Sequence, residues 1–365
     1  MYKIDGDRII LDKMPRELTD DERLVIATKL SEEIKEFPYY KVTDEEVYEI
    51  VNKLDRLYTE KIDKVGSIYQ NQIGIKLINS FHPHMWAVKC RHFRTTHDIF
   101  ENKKWFIHAI EKFIKIRDEQ KVFTHIDKLK ILKTSSGAQA VSNFKPSVSK
   151  YIYDKYAGGG IVLDPCMGYG GRLLGAWCSN IKRYVGVDPC TLTVEGNKNL
   201  KLKLIENESY NKTIFYTNNR PDIEICQSPF EDFITKIDNF DLVFTSPPYF
   251  DTEKYSNEDT QSWKRYPSKD DWLNKFLKVL IEKSYTYLKD DGYFILNVSP
   301  AMKDDTIKIA NEIFKSEPEV KNMILSLLPV RANTSSREEK VEPIIIYNKS
   351  GISNIKKINK QVKFG

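Results

Sequence analysis

Thr245-Ser246-Pro247-Pro248-Tyr249-Phe250 combines residue types suited to gripping a flat amine. Two consecutive prolines fix their φ angles and have no N–H to donate. The Ser246 hydroxyl and the Pro247 carbonyl are thereby left as rigid acceptors facing one point, with the Tyr249 ring beside them. Such an arrangement suits a planar substrate bearing an NH2 group, for example adenine or cytosine. The plain alternative is a Pro-Pro turn after a strand, and the stretches upstream weigh against it.

The second group is Ile161-Val162-Leu163-Asp164-Pro165-Cys166-Met167-Gly168-Tyr169-Gly170-Gly171-Arg172, which reads as a strand, a glycine-bearing turn and the start of a helix. Glycines let the backbone pass close under a ligand at positive φ, and the next helix offers its N-terminal N–H groups. The turn lacks the Gly-x-Gly-x-x-Gly of a dinucleotide site. Asp188 closes the following strand about twenty residues on, as expected of an acid that accepts hydrogen bonds from ribose hydroxyls. Gln227-Ser228-Pro229-Phe230 ends the third strand, and Asn143-Phe144-Lys145-Pro146-Ser147 precedes the first.

In chain order these stretches resemble the motifs of the DNA amino-methyltransferases, the N4-cytosine and N6-adenine enzymes that use S-adenosylmethionine (SAM). The resemblance covers roughly residues 141–350. It rests on Asp-Pro-x-x-Gly-x-Gly at 164–170, Phe-Lys-Pro ahead of it and Ser-Pro-Pro-Tyr behind. It implies that Phe144, Lys145 and Pro146 flank SAM, and that Asp164, Pro165, Cys166, Gly168 and Gly170 wrap its methionine end. Asp188 would take its ribose, and Ser228 and Phe230 would lie at its adenine. Two departures stand out: Cys166 where Phe is commoner, and Ser228 where an Asp often contacts the adenine.

By the same resemblance Ser246, Pro247, Pro248 and Tyr249 form the catalytic group. Ser246 Oγ and the Pro247 carbonyl accept the two amine hydrogens and stabilise positive charge developing on nitrogen. Serine is too weak a base to remove a proton first, so deprotonation follows transfer. In a duplex the base must be flipped out, with Tyr249 as its stacking platform. Methylation at cytosine C5 needs a Pro-Cys nucleophile at the Ser-Pro-Pro-Tyr position. Pro-Cys occurs only at 165–166 and 189–190, in the cofactor loops, so that chemistry is rejected. Guanine N2 in RNA and glutamine amides in protein are alternative flat amines, and a catalytically silent nucleic-acid-binding subunit is the rival of another class.

The elements needed to position these groups are written in the chain. Ile161–Asp164, Tyr184–Asp188, Ile223–Cys226, Asp241–Phe244 and Tyr293–Val298 are short apolar runs separated by helical patterns. That alternation implies a parallel sheet with helices on both faces. Met323–Leu328 and Pro343–Tyr347 have no helix between them, so one must run antiparallel. The expected fold is α/β: a Rossmann-like, class I SAM-dependent methyltransferase with a mostly parallel seven-stranded sheet and one antiparallel strand, plus an N-terminal helical domain.

The expected layout is a mainly helical region at 1–140, a catalytic domain at 141–350 and a basic tail at 351–365. Asp20-Asp21-Glu22 opens an amphipathic run, and Thr43-Asp44-Glu45-Glu46 has the form of a capping box. Between Lys61 and Lys133 basic residues outnumber acids, and Phe81–Trp86 and Cys90–Arg94 mix cations with rings. All six histidines fall here, at His82, His84, His92, His97, His108 and His125, but with no matching Cys pair they make a weak metal site. No metal is expected. A surface for phosphates and bases is the preferred reading over a merely solvated face, with double-stranded DNA as partner. The irregular stretch Tyr255–Pro267 is expected to form a mobile lid.

With 365 residues, 41% of them hydrophobic and 30% charged, the chain has the composition of a soluble globular protein of about two domains. Its net charge of +5 is compatible with a polyanionic partner without requiring one. Five cysteines with no C-x-x-C pair read as free thiols. No apolar run reaches membrane-spanning length and no signal peptide opens the chain. A cytoplasmic, membrane-free location is expected.

Overall fold

The computed structural model describes residues 1–59, 63–64, 66–134, 137–210, 220–250, 252–329 and 337–350. The basic tail at 351–365 lies outside these. The chain forms two compact units. One comprises Met1–Val42, His82–Ser142 and Thr252–Ser256, and the other Thr43–Phe81, Asn143–Asp251 and Asn257–Gly365. Residues 43–81, contiguous in sequence with the helical N-terminal region, thus belong to the second unit.

The first unit is mainly helical but opens with a hairpin that periodicity did not announce. Tyr2–Asp5 and Arg8–Leu11 pair antiparallel, and Val122–Phe123 adds a third strand. The two-residue turn needs Gly6, whose φ is +57°. Ile9 and Leu11 face inward while their neighbours face out, and they join Ile26, Leu30, Phe106, Ile110, Phe113 and Phe123 in one core. Helix Asp20–Glu33 begins at Thr19, whose hydroxyl accepts the Glu22 amide while Glu22 reaches back to the Thr19 amide. It packs against helix Lys103–Ile116. Glu253–Lys254 pairs antiparallel with Lys89–Cys90.

In the second unit a nine-stranded sheet runs through the core. Its main strands are β1 (Ile161–Asp164), β2 (Arg183–Asp188), β3 (Asp222–Gln227), β4 (Phe240–Thr245), β5 (Leu288–Asn297), β6 (Glu319–Pro329) and β7 (Arg337–Asn348). Their order is β6-β7-β5-β4-β1-β2-β3. Ser67–Tyr69 and Asp63–Lys64 extend the β6 edge. Strands β5, β4, β1, β2 and β3 are mutually parallel, and β7 runs antiparallel to both β5 and β6. The central strands are buried on both faces, which explains their unbroken apolar runs.

From β1 the chain winds outward to β3 and then returns to β4 on the other side of β1. The carboxyl ends of β1 and β4 therefore form the switch point, where open α/β sheets bind ligands. One crossover departs from the expected helices: Ser228–Asn239 contains none. Phe230 and Phe233, stacked at 5.8 Å, fill the sheet face there. Helix Asp44–Asp55 begins with the Thr43 and Glu46 capping box. Arg220 joins it to the end of helix Thr191–Tyr210 by pairing with Asp55 at 2.8 Å and Glu208 at 2.9 Å. Among the described residues no helix is long and apolar enough to cross a membrane.

Candidate active site

Asp164 ends β1 with no exposed surface. One carboxylate oxygen accepts from Arg172 Nε and from the Tyr184 hydroxyl, each at 2.7 Å. The other accepts from Thr245 Oγ1 at 2.9 Å and, at 3.3 Å, from the Cys166 amide. The carboxylate is thus met on both oxygens by donors of its own protein, and it braces the turn after β1. Arg172 also donates to the Cys166 carbonyl, and its guanidinium lies 5.7 Å from the centre of the Phe144 ring. Thr245 accepts the Cys166 amide at 3.0 Å and thereby bolts the end of β4 to the turn after β1.

The turn itself carries Pro165, Cys166, Gly168 and Gly170. Gly168 and Gly170 have φ of +56° and +82°, a conformation that side chains resist. A methyl group placed on Gly168 would meet nothing nearer than the Cys166 carbonyl oxygen at 4.0 Å, so the space above this backbone is open. The Met167 amide is held by the Val187 carbonyl at 2.9 Å and the Gly168 carbonyl by Asn197 Nδ2 at 2.7 Å.

Asp188 ends β2 beside this opening, 9% exposed. Each of its oxygens accepts one amide, from Gly168 at 3.0 Å and Cys190 at 2.9 Å, and each keeps a further lone pair for an incoming hydroxyl. Burial raises its pKa to about 6, against the lowering effect of those two amides. An open glycine cradle next to an acceptor pair fits the methionine and ribose portions of SAM. Burial, backed by the charges of Asp188 and Asp164, pushes the Cys166 thiol well above its ordinary value, so it stays a neutral thiol and no nucleophile.

Phe144 and Lys145 are half-buried ahead of helix Pro146–Tyr156. Phe144 meets the Phe244 ring edge-on at 5.3 Å, and Lys145 Nζ lies 3.2 Å from Gln72 Oε1. The helix is pressed onto Gly171–Trp177: a methyl on Gly171 would collide with the Phe144 carbonyl, and one on Gly175 with Ser149. Ser228 is half-buried, and its amide donates to the Asp188 carbonyl at 3.1 Å. Phe230 is 2% exposed and packs within the core, where the crossover after β3 has no helix.

Ser246 follows Thr245 at the mouth of the switch point. Its Oγ is 3.3 Å from Asn297 Oδ1 at the end of β5. Pro247 is buried, whereas Pro248 and Tyr249 are half-exposed. Phe250 takes φ of +48° and turns its ring edge to Trp272 at 6.2 Å. Within the Tyr255–Pro267 stretch expected as a mobile lid, residues 257–267 belong to the second unit and are held there by side-chain contacts. Both Glu258 oxygens accept the Thr191 amide, at 3.1 and 3.2 Å, while Arg265 pairs with Asp232 at 2.8 Å and Glu231 at 3.0 Å. Arg172, Tyr184, Asn197 and Asn297 escaped the sequence reading. The available signal was a polar residue inside each of four apolar or cofactor-side elements.

Residues 240–363 match the DNA methylase family. Among curated proteins none matches the chain. Among solved structures, a putative class I SAM-dependent methyltransferase from Listeria monocytogenes is 14% identical, with a TM-score of 0.41 over 85% of this chain and 90% of that one. A methyltransferase from Pyrococcus furiosus is 17% identical, with a TM-score of 0.33 over 57% and 83% of the two chains. A tRNA (m1A58) methyltransferase from Aquifex aeolicus is 12% identical, with a TM-score of 0.35 over 57% and 70%. The second unit therefore has the sheet order of the class I SAM-dependent methyltransferase fold, and its Ser-Pro-Pro-Tyr stretch lies within the residues that match the DNA methylase family.

Proposed function

We propose that the chain is a site-specific DNA methyltransferase acting on the exocyclic amine of a flipped base, N4 of cytosine or N6 of adenine. The observation that carries this reading is the position of Ser246-Pro247-Pro248-Tyr249. It leaves β4 directly beside the Gly168 cradle and Asp188, so a flat amine and the cofactor can meet at one switch point. When bound, SAM supplies an electrophilic methyl group on its sulfonium.

The amine lone pair of such a base is delocalised into the ring and nucleophilically weak. Ser246 Oγ and the Pro247 carbonyl accept its two hydrogens, favour a pyramidal nitrogen and stabilise the positive charge that develops there. Alignment by the rigid Pro-Pro pair supplies much of the remaining acceleration. The surplus proton departs after transfer, since serine is no base for it beforehand. Tyr249 stacks on the flipped base. Gly168, Gly170, Phe144, Lys145 and Pro146 border the cofactor, Asp188 takes its ribose, and Ser228 lies at its adenine end.

The first unit is proposed to bind the duplex. Its exposed Arg91 and Arg94 lie on a segment where Arg94 stacks 3.9 Å from the centre of the Trp105 ring, a cation and ring presented together. Mass spectrometry of nucleosides from DNA of cells expressing the protein tests the whole reading. N4-methylcytosine or N6-methyladenine should accumulate with the wild-type chain and drop at least 100-fold with Ser246→Ala, the loss of one such acceptor costing on the order of 3 kcal/mol. Methylation confined to RNA or protein would overturn the DNA assignment.

A further inference from the structure

Asn297 ends the apolar run Phe294-Ile295-Leu296 and is 1% exposed. A buried amide needs partners at both ends. Its Nδ2 donates to the Pro343 carbonyl at 3.3 Å, and its Oδ1 faces Ser246 Oγ at 3.3 Å. Turning the amide over would set its oxygen against the Pro343 carbonyl oxygen, so only one orientation satisfies the site. The Asn297 oxygen has no hydrogen, and the Ser246 hydroxyl is therefore the donor of that bond.

We infer that Asn297 is a positioning residue for methyl transfer: it takes the Ser246 hydroxyl hydrogen, so that Oγ meets the substrate amine only as an acceptor. This rests on the reading of Ser246 as the amine's acceptor. A freely rotating hydroxyl could instead aim its hydrogen at the amine nitrogen and occupy the lone pair that must attack. Locking the rotor removes that unproductive state and adds no charge.

The sheet itself holds the lock. Thr245 pairs with Leu296 in the β4–β5 register, which brings Ser246 level with Asn297 one residue on. Asn297 pairs in turn with Ile344 of β7, and the Pro343 carbonyl that orients it also receives the Val298 amide at 3.3 Å. The hydroxyl orientation is thus fixed from β7 through β5 to β4 by backbone pairing.

The test is a double-mutant cycle on the full chain. Single-turnover transfer of radiolabelled methyl from SAM to unmethylated genomic DNA is measured for Asn297→Ala, Asn297→Leu, Ser246→Ala and each Asn297 change combined with Ser246→Ala. Leucine keeps the branching of asparagine at Cγ without its polar atoms, and alanine covers the case in which its extra bulk disturbs packing. SAM affinity and thermal midpoint are measured alongside. Both Asn297 variants should be slowed at least tenfold, with SAM affinity within twofold of wild type. In the Ser246→Ala background the same changes should cost less than twofold more, because no hydroxyl remains to orient.

Full additivity of the two losses, wild-type rates in the Asn297 variants, or loss of SAM binding in step with rate would overturn the inference. So would failure of both Asn297 variants to fold, which would make the amide a determinant of the fold. Ser246→Ala at wild-type rate would instead overturn the acceptor reading on which the inference rests.

Discussion

Thr245→Val isolates the contact that joins the two halves of the site. The threonine is fully buried, and valine preserves its shape while deleting its hydroxyl. Two interactions vanish: the 2.9 Å donation to Asp164 and the 3.0 Å acceptance from the Cys166 amide. A hydrogen bond to a charged group contributes about 1.5–3 kcal/mol, and an amide left short of a partner adds to the loss. The Cys166 amide keeps its long 3.3 Å contact with Asp164, so its share is partial. The sum is about 3 kcal/mol, and with about 3 °C per kcal/mol in a domain of this size the thermal midpoint should fall on the order of 10 °C.

The same change frees the turn that carries Gly168, so SAM affinity measured by calorimetry should weaken. Ser246, the next residue, should lose alignment and the chain should lose turnover. Thr245→Ser keeps the hydroxyl and sheds one methyl, at a cost near 1 kcal/mol. A Thr245→Val midpoint within 1 °C of wild type would refute the idea that this hydroxyl braces the site. Thr245→Ser as unstable as Thr245→Val would assign the effect to methyl packing instead.

The raised pKa of Asp188, about 6, gives SAM binding a pH dependence. Hydroxyls donate fully only to the ionised carboxylate, so affinity should be flat above about pH 7 and fall up to tenfold per unit below 6. Calorimetry on Asp188→Asn should show weak, pH-independent binding, and a wild-type profile flat to pH 5 would remove the carboxylate from the ligand. The sign reverses for the ligand-free fold: with its pKa above the usual 3.8, this group favours folding below that value and loses that contribution as pH rises through 6. Replacing Arg91 and Arg94 together should weaken DNA binding and reduce the slope of log affinity against log salt by about 1–2, with SAM affinity unchanged. An unaltered slope would detach the first unit from the phosphates. Tyr249→Ala should lower activity on duplex DNA by the stacking share, roughly 1–3 kcal/mol, while Tyr249→Phe retains most of it. Equal impairment of the two would give the phenol oxygen a chemical role.

The central parallel strands were legible because they are buried on both faces and so read as unbroken apolar runs, as in Val162-Leu163 or Leu242-Val243-Phe244. The glycine turn was legible because positive φ at Gly168 and Gly170 restricts the residue type. Hidden from view was everything decided by partners distant in the chain. Residues 43–81 join the second unit by pairing Ser67–Tyr69 with β6 and by the Arg220 contact to Asp55. No local window contains either event. The burial of Phe230 is likewise decided by Phe233 and by strands remote in the chain.

The two strand-ending aspartates show the same limit at the level of chemistry. Asp164 and Asp188 each follow an apolar run and precede a turn, and by type and position either could bind a ligand. Their difference lies in who reaches them. Arg172, Tyr184 and Thr245 converge on Asp164 from 8, 20 and 81 residues away, and the Cys166 amide adds a fourth donor. Among the described residues Asp188 accepts two amides, and it keeps a 9% exposed edge. A carboxylate's capacity to bind is set by the donors it has not yet met. Asp164, met on both oxygens, holds the loop in place, and Asp188 keeps lone pairs that a ribose hydroxyl can use.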